Sequence, residues 1–332
     1  MLCDNLKNLS HNKHNFFKLN ILLSCSSNKT LLLKWIFKSI KKIKIKAKVF
    51  AGDSDKNVVS KFFCDYFWHM PVLKEKNLGK ILKFLKDNKI KIIFPTSDKE
   101  LFFWSKHKNF FYKNKIFIMI SEFKTIKGCL DKLKFYSILK NNKNIHFTSR
   151  SLEDFNNKTR LVAKNRYGSG SKDIFINLSK KEISLIKNKK NFIYQQFLKG
   201  KEFSIDCYFD NNHNLLSYSP RYRDKINNGE SEITTVFKNY SLRKILIKIS
   251  QSLKFKGHVM FQGILSRNKK IKIFECNPRL GGASYISSFQ SSDSIANFIS
   301  ENISSKKLFL HKNRKIFKKK KMIIYKSAKI FK

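Results

Sequence analysis

The stretch IKIFECNPRLGG, residues 271–282, decides the fold. It opens as a short apolar strand and breaks at once into Glu275, Cys276 and Asn277, then Pro278, Arg279 and two glycines. Residues i and i+2 of a strand point to one face, so Glu275 and Asn277 project together. A solvated strand end accounts for those two side chains, but not for their coupling to Pro-Arg and Gly-Gly. Upstream, residues 258–265 read as a strand carrying Gln262. If the two strands pair as a hairpin around residues 267–270, Gln262 falls near Glu275. A carboxylate and two amide oxygens then form a hard-oxygen cluster. Mg²⁺ takes one or two carboxylates and completes its shell with water and substrate phosphates. The expected metal set is therefore Gln262, Glu275 and Asn277, for Mg²⁺ or Mn²⁺. Pro278 ends the strand, Arg279 can reach the same phosphates, and Gly281-Gly282 let a backbone loop approach a ligand.

Two further segments lie upstream. In LVAKNRYGSGS, residues 161–171, a strand delivers Lys164 to a Gly168-Ser169-Gly170-Ser171 loop. Small residues let backbone N–H groups converge on an anion, and Lys164 adds charge. No GxxxxGK[ST] loop is present, and a flexible hairpin explains the segment equally well. In IYQQFLKGKEFSID, residues 193–206, a strand ends at Gln195-Gln196-Phe197-Leu198, turns at Gly200 and resumes with Glu202. A free connector backbone can hydrogen-bond an adenine edge, and a carboxylate at Glu202 can accept from ribose hydroxyls; an ordinary strand–turn–strand is the alternative. Arg221 and Arg223 alternate in SPRYRDKINNGES. They either face a substrate carboxylate or phosphate or line an exposed strand. His258 has no second His or Cys at ligand spacing and reads as structural.

The first third alternates strand and helix. Strands are expected at 20–23, 48–51, 90–94 and 115–120, with helices at 30–42 and within 78–88. This pattern implies a parallel, doubly wound sheet whose ligand-binding loops lie at the carboxyl ends of its strands. Residues 24–28, Asp53 and Asp98 sit at such ends, and residues 24–28 and Asp98 read as pocket-lining or loop-capping groups. The first glycine is Gly52, so no GxGxxG follows the first strand and NAD binding is not expected. Beyond residue 125 the chain becomes strand-rich. Eight of its eleven glycines lie between 168 and 282, marking positions of unusual backbone geometry or close ligand approach.

Composition bounds the partners. At 42% hydrophobic residues the chain can fill a core. The net charge of +47 raises a nucleic-acid or membrane-surface partner. Only nine of the 70 basic residues are Arg, however, and the lysines are spread along the chain. That composition fits drift in an AT-rich genome better than a specific nucleic-acid reader, which favours Arg. The Lys318–Lys321 run reads as a solvated tail. Six scattered cysteines without CxxC exclude a disulfide scaffold or zinc site and fit a reducing cytoplasm. No apolar run reaches membrane-spanning length. A homodimer is the default assembly.

Lys164 with its GSGS loop, QQFLKGKE, Gln262 and ECNPRLGG, in this order, resemble the ATP-grasp superfamily, in particular the carbamoyl-phosphate synthase large-chain type and its stand-alone carboxylate–amine ligase relatives. The resemblance covers roughly residues 20–300. It implies an α/β protein: an N-terminal Rossmann-like pre-ATP-grasp domain, including PTSDKEL at 95–101, and an α+β ATP-grasp fold with nucleotide between its two subdomains. The implied division is an extension at 1–18, the pre-ATP-grasp domain at 19–125, the ATP-grasp domain at 126–304 and a basic segment at 305–332. It also implies that Lys132 and Lys164 contact ATP with residues 168–171, 195–198 and Glu202. By the same resemblance Gln262, Glu275 and Asn277 hold the metal, Lys164 and Arg279 act in catalysis, and Arg221, Arg223, Gly281 and Gly282 border the substrate. The implied reaction is Mg²⁺-dependent: ATP activates a small-molecule carboxylate as an acyl phosphate, which an amine or similar nucleophile attacks. Asn165 replaces the usual proline, Gln195 stands where a carboxylate is common, and Cys276 replaces an aliphatic residue. The alternatives are a non-catalytic ATP-binding relative and a basic nucleic-acid-binding protein.

Overall fold

The structure, a computed structural model, describes residues 19–168, 173–187, 189–290, 293–303 and 319–325. Ser169, Gly170 and Ser171 lie outside the described residues, as do the N-terminal extension and Lys318.

In the N-terminal part five parallel strands form one sheet: β1 (Asn20–Ser24), β2 (Val49–Asp53), β3 (Tyr66–His69), β4 (Ile90–Pro95) and β5 (Phe117–Ile118), in the order β3-β2-β1-β4-β5. Helix α1 (Thr30–Ile43) buries Leu32, Leu33, Trp35, Ile36 and Ile40, a stripe at helical spacing, on one side of the sheet. On the other side α2 (Leu78–Asp87) contributes Ile81 and Leu85, and α3 (Asp98–Lys106) contributes Leu101 and Trp104. The short α4 (Lys108–Lys113) leads into β5. Because β1 lies between β2 and β4, the chain order switches there. The loops after β1 and β4 therefore leave the sheet side by side, where open α/β sheets bind ligands.

Three details depart from the sequence reading. The strand expected at 115–120 is only Phe117–Ile118. Tyr66–His69 adds an edge strand that the reading missed. Asp98 opens α3 rather than lying in a loop. Its apolar residues 101–104 are contiguous, which hides the helical period, and a Ser97/Glu100 capping box starts the helix.

Two antiparallel sheets follow. The smaller has β6 (Leu161–Asn165) between β7 (Ile174–Leu178) and β8 (Phe192–Gln196). The larger runs β13-β12-β9-β10-β11-β14, where β9 is Gly200–Phe209, β10 Leu215–Asn227, β11 Glu230–Val236, β12 Gly257–Ser266, β13 Ile271–Asn277 and β14 Lys321–Ile323. Helices α5 (Phe123–Leu130), α6 (Lys132–Leu139) and α8 (Ser241–Ser252) cover one face of the larger sheet. Phe203, Ile205, Phe261, Ile273 and Cys276 there pack against Phe135, Leu242, Leu246 and Ile249. The five-residue α7 (Lys180–Ser184) caps the smaller sheet. Helix α9 (Ser294–Ile303) packs on α1 through Ile295, Phe298 and Ile299, joining the two halves of the chain.

The C-terminal lysine run is not wholly a solvated tail. Lys321 lies in β14, which pairs with β11 at Thr235↔Lys321 through Ile233↔Ile323. An open edge of N–H and C=O groups is a template for another strand, and this segment fills it.

The opposite face of the larger sheet is polar. Glu275, Gln262, Ser204 and Arg221 lie directly across from one another on β13, β12, β9 and β10. The next row holds Asn277, Met260, Asp206 and Ser219. Strict alternation from buried Ile271 and Ile273 would aim Glu275 into the apolar core. A bulge prevents this: Ile273 pairs with Gly263 and Glu275 with Gln262, so Phe274 is the extra residue. The bulge re-aims Glu275 and Asn277 to the polar side and leaves Cys276 in the core.

Candidate active site

Gln262 and Glu275 are register partners across the β12–β13 hairpin, and Asn277 follows on the same face. The smaller sheet approaches this face through Lys164, whose Nζ is 3.9 Å from Glu275 Oε2 and 4.6 Å from the centre of the Phe274 ring. Lys164 is buried, and burial lowers its pKa to about 8; Glu275 opposes the shift and Lys132 adds to it. At 3.9 Å the ion pair is too long to be a hydrogen bond, so desolvation prevails. Glu202, in the next row of the same face, pairs with Arg223 at 2.7 Å. Burial raises the Glu202 pKa against the pull of Arg223 and Lys164.

Lys132 opens α6 behind its N-cap, Asp131. The Asp131 carboxylate accepts from the Leu133 and Lys134 amides at 3.1 Å each. It also takes a two-point contact from Arg166 at 2.7 and 2.6 Å and a bond from the Tyr167 hydroxyl at 3.1 Å. Lys132 Nζ donates to the Gly168 carbonyl at 2.8 Å. The start of the Gly-Ser loop is thus tied to the start of a helix. Arg166, Tyr167 and Asp131 escaped the sequence reading, because nothing local marks a contact across 35 residues.

The connector is less open than its composition suggests. Gln195 is buried and donates to Thr148 Oγ1 at 2.7 Å. The Gln196 carbonyl faces His146 Nε2 at 2.8 Å, and the Phe197 amide donates to the Arg160 carbonyl at 2.8 Å. Burial lowers the His146 pKa to about 4, so the ring is neutral at pH 7 and Nε2–H donates. Leu198 is half-buried beyond these contacts.

Arg221 is fully buried, with Nε 2.7 Å from Asp206 Oδ2, so it does not lie on an exposed strand. Ser284 Oγ donates to Asp206 Oδ1 and accepts the Gly281 amide at 2.9 Å. Buried His258 sits 3.4 Å from Asp206 and bonds Ser294 through Nδ1 at 2.8 Å. Burial alone would raise the Asp206 carboxyl; Arg221 and then His258 hold it well below the usual carboxylate range. Asp206 thus anchors the glycine loop to the sheet. A Cβ on Gly281 would lie 2.7 Å from Met260 Sδ, and one on Gly282 2.9 Å from the Glu230 carboxylate, so both glycines allow close packing. Asp206→Ala is expected to lower stability by roughly 3–5 kcal/mol, because it strands a buried guanidinium. Urea unfolding at pH 7 measures this. A depressed carboxyl contributes stability above its unfolded pKa and loses it as pH falls through the folded value. The variant's deficit therefore shrinks toward acid pH.

Arg279 turns toward the N-terminal sheet. Nε and Nη2 meet Asp98 Oδ1 and Oδ2 at 2.6 and 2.9 Å, and Nη1 donates to the Leu280 carbonyl at 3.1 Å. Burial works against its charge, but Asp98, then Glu275 and Glu230, raise its pKa. Lys29, after β1, pairs with Glu230 at the β10–β11 turn at 2.5 Å. Ser27 in the same loop donates its amide and hydroxyl to Asp53, at 2.8 and 3.1 Å.

The donor set fits a hard divalent cation. One carboxylate and two amide oxygens share a face, and the neighbouring Lys132, Lys164 and Arg279 suit phosphate oxygens. Among the described residues no three His, Cys, Asp or Glu side chains cluster as metal ligands. No helix of the described residues is long and apolar enough to cross a membrane.

Known proteins share this fold. Residues 129–283 match the family model described as ATP-grasp domain, and residues 5–119 match the one described as PylC-like, N-terminal domain. No curated protein matches by sequence. Among solved structures, the fold is shared with the biotin carboxylase domain of Hydrogenobacter thermophilus 2-oxoglutarate carboxylase, in complex with MgADP, ADP and bicarbonate. The TM-score is 0.69 at 13% identity, covering 89% of this chain and 71% of that one. It is shared with an L-amino acid ligase from Bacillus licheniformis, at TM-score 0.63 and 17% identity, covering 86% and 74%. It is also shared with Rhizobium etli pyruvate carboxylase, at TM-score 0.64 and 11% identity; the match covers 85% of this chain and only 28% of that one. The two family models together take in both sheet systems that build the site, and residues 129–283 belong to the ATP-grasp domain family.

Proposed function

We propose that this chain is an ATP- and Mg²⁺-dependent ligase that activates a carboxylate as an acyl phosphate for attack by an amine or similar nucleophile. The observation that carries the reading is the meeting of Lys164 and Glu275, from two different sheets, at 3.9 Å over a polar sheet face. A buried cation with a depressed pKa, facing the one carboxylate of an oxygen-donor row, is held at a desolvation cost that an anionic ligand would offset. It suits a nucleotide's triphosphate. The L-amino acid ligase fold supports the choice of reaction class.

In this reading Gln262, Glu275 and Asn277 hold Mg²⁺, which neutralises phosphate charge when bound. Lys132 and Lys164 take phosphate oxygens on the smaller-sheet side and Arg279 on the other. Gln196 and Leu198 offer backbone groups to adenine, and Glu202 accepts from ribose. The substrate carboxylate oxygen attacks the γ-phosphorus and ADP leaves. The nucleophile then attacks the acyl carbon, phosphate departs, and the nucleophile's proton passes to solvent. Positioning and charge neutralisation suffice for such phosphoryl transfer. Arg223, beside Glu202, is the better candidate for a substrate anion; Arg221 serves Asp206.

A phosphate-release screen of acids paired with amines, with and without Mg²⁺, tests the reading. Mg²⁺-dependent release that requires both an acid and an amine is the expected result. Nucleotide binding without release across a broad panel sinks the ligase reading in favour of a non-catalytic ATP binder.

A further inference from the structure

We propose that Asp98, in the N-terminal half, is a positioning residue for Arg279, fixing the guanidinium so that its free edge meets the transferring phosphate. The inference rests on the ligase reading above. Arg279 follows the metal-binding strand directly, yet its Nε–Nη2 edge is held by a carboxylate 181 residues away in sequence. Two-point contact fixes the plane of the guanidinium as well as its place. Leu280 O takes one Nη1 hydrogen, which leaves part of the Nη1–Nη2 edge without a protein acceptor among the contacts of the described residues. An arginine gripped on one edge and open on the other is oriented rather than sequestered.

Asp98 is itself rigidly presented. It is the first residue of α3, next to the Ser97 cap. Two residues on, the buried Glu100 accepts from the Thr96 and Ser97 amides at 2.7 and 2.9 Å, from Trp104 Nε1 at 2.8 Å, and from Ser24 Oγ. Thr96 Oγ1 donates to the Ser24 carbonyl at 2.9 Å. The loop bearing Asp98 is thus locked to the ends of β1 and β4. The N-terminal sheet reaches the phosphate site through the Asp98 carboxylate.

The test compares Asp98→Asn and Asp98→Glu in the full chain, because removal of the whole side chain strands a buried guanidinium. With an acid–amine pair that turns over, Asp98→Asn is expected to lower kcat on the order of 100-fold, the size of effect that slight misplacement of a catalytic group produces. Its Kd for MgADP and its thermal midpoint should stay close to wild type, and Asp98→Glu should recover part of kcat. Wild-type kcat in Asp98→Asn overturns the proposal and leaves the ligase reading intact. So does a loss of kcat that tracks a fall in thermal midpoint and MgADP affinity, which marks a merely structural pair. A wild-type chain that binds no nucleotide overturns both.

Discussion

Glu275→Ala is expected to abolish Mg²⁺-dependent phosphate release, with a loss of at least about 10³-fold, since metal neutralisation of transferring phosphate contributes several kcal/mol. Glu275 is the only carboxylate in the Gln262–Glu275–Asn277 set, and Mg²⁺ requires at least one. Removal leaves two neutral amide oxygens, which cannot displace tightly held water. Fold is expected to survive, because the side chain lies on the polar face, away from the packed core. A Mg²⁺ titration of phosphate release, beside circular dichroism, checks both parts. Undiminished turnover at ordinary Mg²⁺ would remove the metal assignment. Gln262→Ala should act in the same direction with a smaller effect, since it removes a neutral ligand.

Lys164→Met carries the second large effect, and it has two opposite signs. Nucleotide affinity should fall about 10- to 100-fold, as expected when a buried charge-assisted contact to phosphate is lost. Stability near pH 7 should hold or rise, because burying the ammonium is costly and its ion pair with Glu275, at 3.9 Å, is long. The pH dependence follows from the same shift. The folded-state pKa of about 8 lies below the ordinary lysine value of 10.5. Between these values the unfolded chain binds more protons, so the Lys164 contribution to stability rises with pH across that window. Below pH 8 both states are protonated and the burial cost is present in full. Binding runs the other way: affinity of the free protein for MgADP should weaken as pH rises above about 8, and Lys164→Met should flatten that fall. Calorimetric titrations from pH 7 to 9.5 read this directly. A wild-type affinity flat across that range would remove Lys164 from the phosphate site.

These predictions draw on residues that the primary structure exposed unequally. Gln262, Glu275 and Asn277 were legible because strand periodicity and hairpin spacing are local. Lys164 was legible as the charged residue that a strand delivers just before a small-residue loop. The pairings of Asp98 with Arg279 and of Lys29 with Glu230 were not, since the partners lie 181 and 201 residues apart in sequence. Arg221 was read as facing substrate or lining an exposed strand, and its burial against Asp206 was not legible. Alternation says which residues share a face, but not that a neighbouring Asp206 will bury the guanidinium.

By itself, then, the order of residues determined the alternating N-terminal sheet, the strand-rich remainder and the oxygen donors of the hairpin, because backbone periodicity and turn chemistry act over a few residues. Tertiary structure alone decided which way Glu275 points, since the bulge at Phe274 appears only when β13 pairs with β12. It also decided that Lys164 stands over Glu275, and that the N-terminal sheet grips Arg279. Such contacts form between surfaces brought together by packing, and no local pattern encodes where two packed surfaces will meet.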